Sequence, residues 1–267
     1  MKAVNPDAYI VAEIWAERPE ALRGDQYDAL MNYPLMAAVL SFVAADHQDD
    51  AVVGAHATIR AMVTRDDAAA FGRRLEHTFT IYDRAAVEAQ LNLLDSHDTP
   101  RFVTMAGGDA ASFRLATLVQ MTVPGAPSIY YGDEIGMVGG FDPDCRRSFP
   151  WVAPETWDHD LLAYVTATIA LRHANPALRH GELRVVGAND QAIAYLRTDG
   201  ANAIVVAVNA GAGPARLAID APELAGRTLV EEPLPGWPAG PAVAVAAGGR
   251  AEVGIPARSG RVLSAEA

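Results

Sequence analysis

The chain has 267 residues, a mass of 28.3 kDa, 51% hydrophobic content and a formal net charge of −12. That length and apolar fraction suffice for one large domain or two smaller ones with real cores. The acidic balance, with a sequence pI of about 4.9, argues against nucleic acid or an anionic membrane as the main partner.

The first part of the chain alternates short apolar runs with longer helical patterns. Residues 8–15 (AYIVAEIW) read as a buried strand, followed by strands at 29–33, 90–95 and 127–132. Each run is nearly continuously apolar, as expected for parallel strands covered on both faces. Helical spacing predicts helices over 34–45, 66–82, 110–123 and 158–174. Strand and helix in alternation predict βα units around a parallel sheet. After Pro176 the pattern changes. LRVVG, AIAYLRT, NAIVVAVN, ARLAI, TLVEE and AVAVAA are strand-like runs separated by turn material such as TDGAN and PAGP. The prediction is an α/β part at 1–175 and an antiparallel β-sandwich domain at 176–267.

Cys145 is the only cysteine, so no intrachain disulfide forms, and a cytoplasmic setting is expected. No run of about 18 apolar residues is present, and the first residues lack the apolar core of about 7–15 residues of a signal peptide.

Polar residues gather at the predicted strand ends. Glu13 sits in the first, Asp95 to Arg101 follows the third, and Tyr130 to Glu134 closes the fourth. Carboxylates converging from different strands suit glycoside hydrolysis, in which one acid protonates the leaving oxygen. Taken singly, each has another reading. Glu13 reads as a satisfied structural acid, and His97-Asp98 as a turn or helix cap. Asp133 and Glu134 read as loop structure, and Asp142, Asp144, Arg146 and Arg147 as a surface ion-pair cluster. His47 and His56 lack metal-ligand spacing, and no zinc site is expected.

Taken together, AEIW, LNLLDSHDTPRF and PGAPSIYYGDEIGMVGGFDPDCRRSFPW, in that order, resemble the α-amylase family of glycoside hydrolases. They are most similar to its cyclomaltodextrinase, neopullulanase and maltogenic amylase group. The resemblance covers residues 3–175. It implies strands five to eight of a (β/α)8 barrel, acting on α-glucan oligosaccharides by retaining hydrolysis. It gives Glu13 the part of general acid/base and Asp98 that of the second, non-nucleophilic aspartate. His97 is then a hydrogen-bonding partner for the same sugar, and Trp15 a stacking platform. Apolar neighbours around Glu13 would help it hold a proton, while His97 and Arg101 would keep Asp98 ionised.

The resemblance implies no cofactor for this chemistry. Candidate calcium ligands in the family lie largely outside the matched stretch, so calcium stays open. The family's nucleophile lies in a stretch resembling G-x-R-x-D before the acid, and none occurs in these 267 residues. The expectation is a half barrel that is inactive alone, whose open sheet edges drive self-association. A stable monomer on size-exclusion chromatography would contradict it. Two rival readings remain open at this level: a non-catalytic α-glucan-binding module, and part of a transglycosylase.

Overall fold

The computed structural model describes residues 1–266. In chain order the first part contains β1 (Val11–Ala12), β2 (Ala29–Leu30), α1 (Tyr33–Val43), α2 (Asp50–Gly54), α3 (Ala57–Met62), α4 (Ala68–Thr80) and α5 (Arg84–Ala89). It continues with β3 (Leu91–Leu93), α6 (Phe102–Met105), α7 (Ala110–Thr122), β4 (Ala126–Ser128), α8 (His159–Ala174) and α9 (Pro176–His180). The rest is strand: β5 (Glu182–Ala188), β6 (Ala192–Asp199), β7 (Asn202–Asn209), β8 (Ala215–Asp220), β9 (Thr228–Glu231), β10 (Val243–Ala244), β11 (Arg250–Ile255) and β12 (Ser259–Glu266).

β1 pairs with β2 and β3 with β4, both parallel. A parallel bridge between Met31 and Leu91 joins the two pairs, so the four strands stand in the order β1-β2-β3-β4. They are two or three residues long, shorter than the apolar runs predicted them. The ladder stops where the chain turns off to carry polar residues: Glu13 follows β1 directly, and Asp95 comes two residues after β3. β2 and most of β3 are buried, but β1 and β4 are partly exposed. These two outer strands lack the double cover expected of all four.

The long helices start on side-chain caps. Asn32, Asp67, Asp109 and Asp158 each accept a hydrogen bond from a backbone N–H three residues on, opening α1, α4, α7 and α8. Such caps satisfy N–H groups that have no partner inside the helix. α1 is apolar all round, and every residue but Pro34 is buried, as a helix hydrophobic on all faces must be.

β5 to β7, β9, β10 and β12 form one antiparallel sheet in the order β10-β9-β12-β7-β6-β5, and β8 pairs with β11 in a second. The period of two sets the layers. From β6 and β7, Ile193, Tyr195, Ile204, Val206 and Val208 join the core with α1, α4 and α7. Ala194, Leu196, Val205 and Ala207 point the other way, onto Leu217, Ile219, Val253 and Ile255 of the β8–β11 pair. Both faces of β7 are therefore buried, which is why NAIVVAVN is apolar throughout. Arg197, fully buried, stitches the sheet to the helices by donating to the carbonyls of Leu178 (3.1 Å), Gly181 (2.9 Å) and Glu182 (3.2 Å). Burial, with the Arg172 charge nearby, lowers its pKa to about 9.

Candidate active site

Three of the four residues singled out from sequence meet where β1 and β3 end. One oxygen of Glu13, one of Asp98 and one ring nitrogen of His97 all lie within 4.8 Å of one another. His97 Nε2 is 3.5 Å from Asp98 Oδ1 and 4.0 Å from Glu13 Oε1. The turn that presents His97 and Asp98 is fixed locally. Ser96 N–H donates to Thr99 Oγ1 (2.9 Å), and Asp98 N–H donates to Ser96 Oγ (3.1 Å).

A residue not picked out from sequence ties the two halves of this group together. Tyr33, fully buried at the start of α1, donates to Glu13 Oε1 (3.4 Å), and its hydroxyl shares a 2.9 Å hydrogen bond with Ser96 Oγ. Burial holds the Tyr33 phenol well above its ordinary range, so it remains a neutral donor. The path Asp98 N–H to Ser96, Tyr33 and Glu13 links the two carboxylate-bearing segments through buried hydroxyls. An aromatic after a short apolar strand looks like plain core in sequence, and nothing there marks Tyr33 out. Trp15, the fourth candidate, stacks on the other side of this arrangement. Its ring lies 4.2 Å from that of Tyr33 at 16°.

Two expectations need correction. Glu13 is not wrapped in apolar side chains: 42% of its side chain is exposed, because the strand ends one residue before it. Nor is Arg101 the cation beside Asp98. Arg146 holds that place, with Nη2 2.8 Å from Asp98 Oδ1 and Nε donating to the His97 carbonyl at 2.8 Å. Asp142 also pairs with Arg146 (3.0 Å), and Arg147 pairs with Asp144 (2.6 Å). The predicted surface cluster thus exists, but one arm of it reaches into the site. Arg146 already supplies a positive charge to Asp98, which argues against a cation held by the same carboxylate.

Arg101 lies behind the site, fully buried. It pairs with Asp133 (3.0 Å), donates to the carbonyls of Tyr131 (2.6 Å) and Cys145 (3.1 Å), and lies 4.0 Å over the Tyr130 ring. Asp95, also buried, accepts from Phe102 N–H (2.6 Å). Two buried carboxyls interact with each other, and only Asp133 is paired with the guanidinium, so this arrangement favours a proton held on the pair. Burial pushes Asp95 up to about 6. Burial and the Asp95 charge push Asp133 well above the carboxylate range against the pull of Arg101.

A raised carboxyl pKa binds a proton in the folded state that the unfolded chain releases. Its contribution to stability is complete below the ordinary value of 3.8 and is lost as pH climbs through about 6. Asp133→Asn removes the second carboxyl. The stability of this variant relative to the unsubstituted chain should therefore rise between about pH 4 and pH 8 in urea titrations. A difference that stays constant over this range would show that the pair does not share a proton.

With the geometry in place, relatives can be compared. Residues 1–156 match the model of the alpha amylase catalytic domain, and the chain belongs to the α-amylase family of glycosidases. It is 41% identical over 211 residues to a cyclomaltodextrinase of Geobacillus thermopakistaniensis, covering 78% of this chain and 33% of that protein. Neopullulanase 2 of Thermoactinomyces vulgaris is 38% identical over 233 residues, covering 86% of this chain and 37% of that one. Among solved structures, the native Nostoc punctiforme debranching enzyme superposes with a TM-score of 0.85 at 36% identity, covering 98% of this chain and 53% of that one. The chain spans about a third of the length of the curated relatives it matches. No helix among the described residues is long and apolar enough to cross a membrane.

Proposed function

We propose that residues 1–175 supply strands five to eight of a (β/α)8 barrel, followed at 176–267 by an antiparallel β domain, in a retaining α-glucan hydrolase of cyclomaltodextrinase or neopullulanase type. One observation carries the reading: Glu13 and Asp98, from separate parallel strands, are brought with His97 to within 4.8 Å. The order of four parallel strands and the names of the relatives support it. Glu13 is the general acid/base, reached by the Tyr33 hydroxyl. Asp98, paired with Arg146, is the carboxylate that orients the sugar and meets the charge developing at the reacting carbon. His97 hydrogen-bonds hydroxyls of that sugar, and Trp15 is the stacking platform near the leaving group once a face of its ring is free.

Without a nucleophilic carboxylate, residues 1–267 by themselves are proposed to bind α-glucan without turning it over. β1 and β4 each pair on one side only, which supports the expected self-association through open edges. The single buried Cys145 suits a cytoplasmic setting.

Calorimetric titration with maltoheptaose tests the site. Heat of binding is expected in the millimolar range or below. His97→Ala should weaken binding by about 1.5–3 kcal/mol, tenfold or more, through loss of hydrogen bonds to sugar. No heat at millimolar sugar would remove the reading.

A further inference from the structure

We propose that His56 is a displaceable cover on Trp15, which a bound saccharide must push aside before it can stack there. The proposal rests on the reading of this site as an α-glucan site.

Four rings form a column beside the carboxylates. Tyr33 lies 4.2 Å from Trp15 at 16°, Trp15 lies 5.4 Å from His56 at 32°, and His56 lies 5.6 Å from Phe141 at 26°. The first and last pairs are stacked and His56 is tilted against Trp15, and among the described residues Tyr33 and His56 do not stack on each other. An indole stacked on one neighbour, with a second tilted against it that does not meet the first, has both faces covered. A sugar stacks on an aromatic face rather than on its edge, so Trp15 has none to offer in this arrangement.

The two neighbours are held very differently. Tyr33 is fully buried and hydrogen-bonded to Ser96 and Glu13, so it does not leave. His56 is only partly buried. It stands at the N-terminus of α3 yet makes no side-chain capping bond. Its Nδ1 is buried with no hydrogen-bond partner, an unfavourable state for a polar atom. Ring contacts alone hold the imidazole on Trp15. A rotation of one side chain frees the face, and the unpaired nitrogen regains a partner in water. A ligand that binds only the uncovered state is weakened by the fraction of molecules in that state. His56 thereby sets affinity without touching the reacting bond.

The test is titration of the 267-residue chain with maltotriose, in the unsubstituted protein and in His56→Ala, His56→Phe and Trp15→Ala. If the cover holds about nine molecules in ten, His56→Ala should tighten binding roughly tenfold. His56→Phe keeps a ring on the indole and should leave affinity near the starting value. Trp15→Ala should abolish the gain when combined with His56→Ala. Circular dichroism confirms the fold, and His56→Asn replaces the alanine variant should that one unfold. Measurable binding that His56→Ala leaves unchanged or weakens overturns the cover. Absence of binding in every chain removes the α-glucan reading and the cover with it.

Discussion

Arg101→Ala should cost the folded chain about 3–5 kcal/mol, the range for breaking a buried ion pair from one side. The loss comes less from the absent attraction than from what remains. Asp133 would stay buried without its cation, with Asp95 buried close by, and the carbonyls of Tyr131 and Cys145 would lose their donor. A charge left alone in a closed interior is costly. The damage should also reach the site. Arg101 fastens the segment after β4 to the turn after β3, and that segment carries Arg146 to Asp98. Urea unfolding measures the first effect and maltoheptaose affinity the second. Neutralising the paired acid together with the base, in Arg101→Met with Asp133→Asn, should recover part of the stability because one buried carboxyl rather than two is left without its cation. A loss below about 1 kcal/mol for Arg101→Ala would mean that the pair is held as loosely as a surface one.

The apolar runs located all four parallel strands, and the spacing located the four long helices. Both signals follow from burial, which the sequence records directly. The short helices α2, α3, α5 and α6 left no clear signature, since four to six residues cover too few turns to show a period. β11 and β12 were also missed. In RAEVGI, Val253 and Ile255 face the core while Arg250 and Glu252 face water, so alternation is present over a short span. In SGRVLSAE the pattern is broken by Arg261, a buried residue satisfied by Glu231 (2.6 Å) and by the Pro241 carbonyl (2.8 Å). A charge that looks exposed in sequence is here part of the interior.

The site divided along similar lines. Glu13, His97 and Asp98 stood out because each interrupts or ends an apolar strand. Arg146 did not, because its spacing from Asp142 fits an exposed i,i+4 pair, and only the fold shows its guanidinium crossing to Asp98. The expected apolar surroundings of Glu13 depended on a strand that continues past it. The pairing of β1 with β2 ends at Ala12, and the acid stands in the opening instead.

We propose that residues 1–267 hold the acid and the orienting aspartate of a two-step glycosidase, but not its nucleophile. Retaining hydrolysis forms a glycosyl-enzyme bond to a carboxylate, which water then breaks. On the proposed roles, Glu13 protonates the leaving oxygen and Asp98 steadies the charge on the ring, and neither forms that bond. Removing one member of a catalytic group that acts as a unit costs on the order of 10⁴-fold or more in rate, even when binding survives. The direct measurement is product release from a cyclodextrin and from pullulan by the purified 267-residue chain, alongside Glu13→Gln. Release indistinguishable from the blank is expected in both, with maltoheptaose still bound. Turnover by the unsubstituted chain that disappears in Glu13→Gln would contradict it.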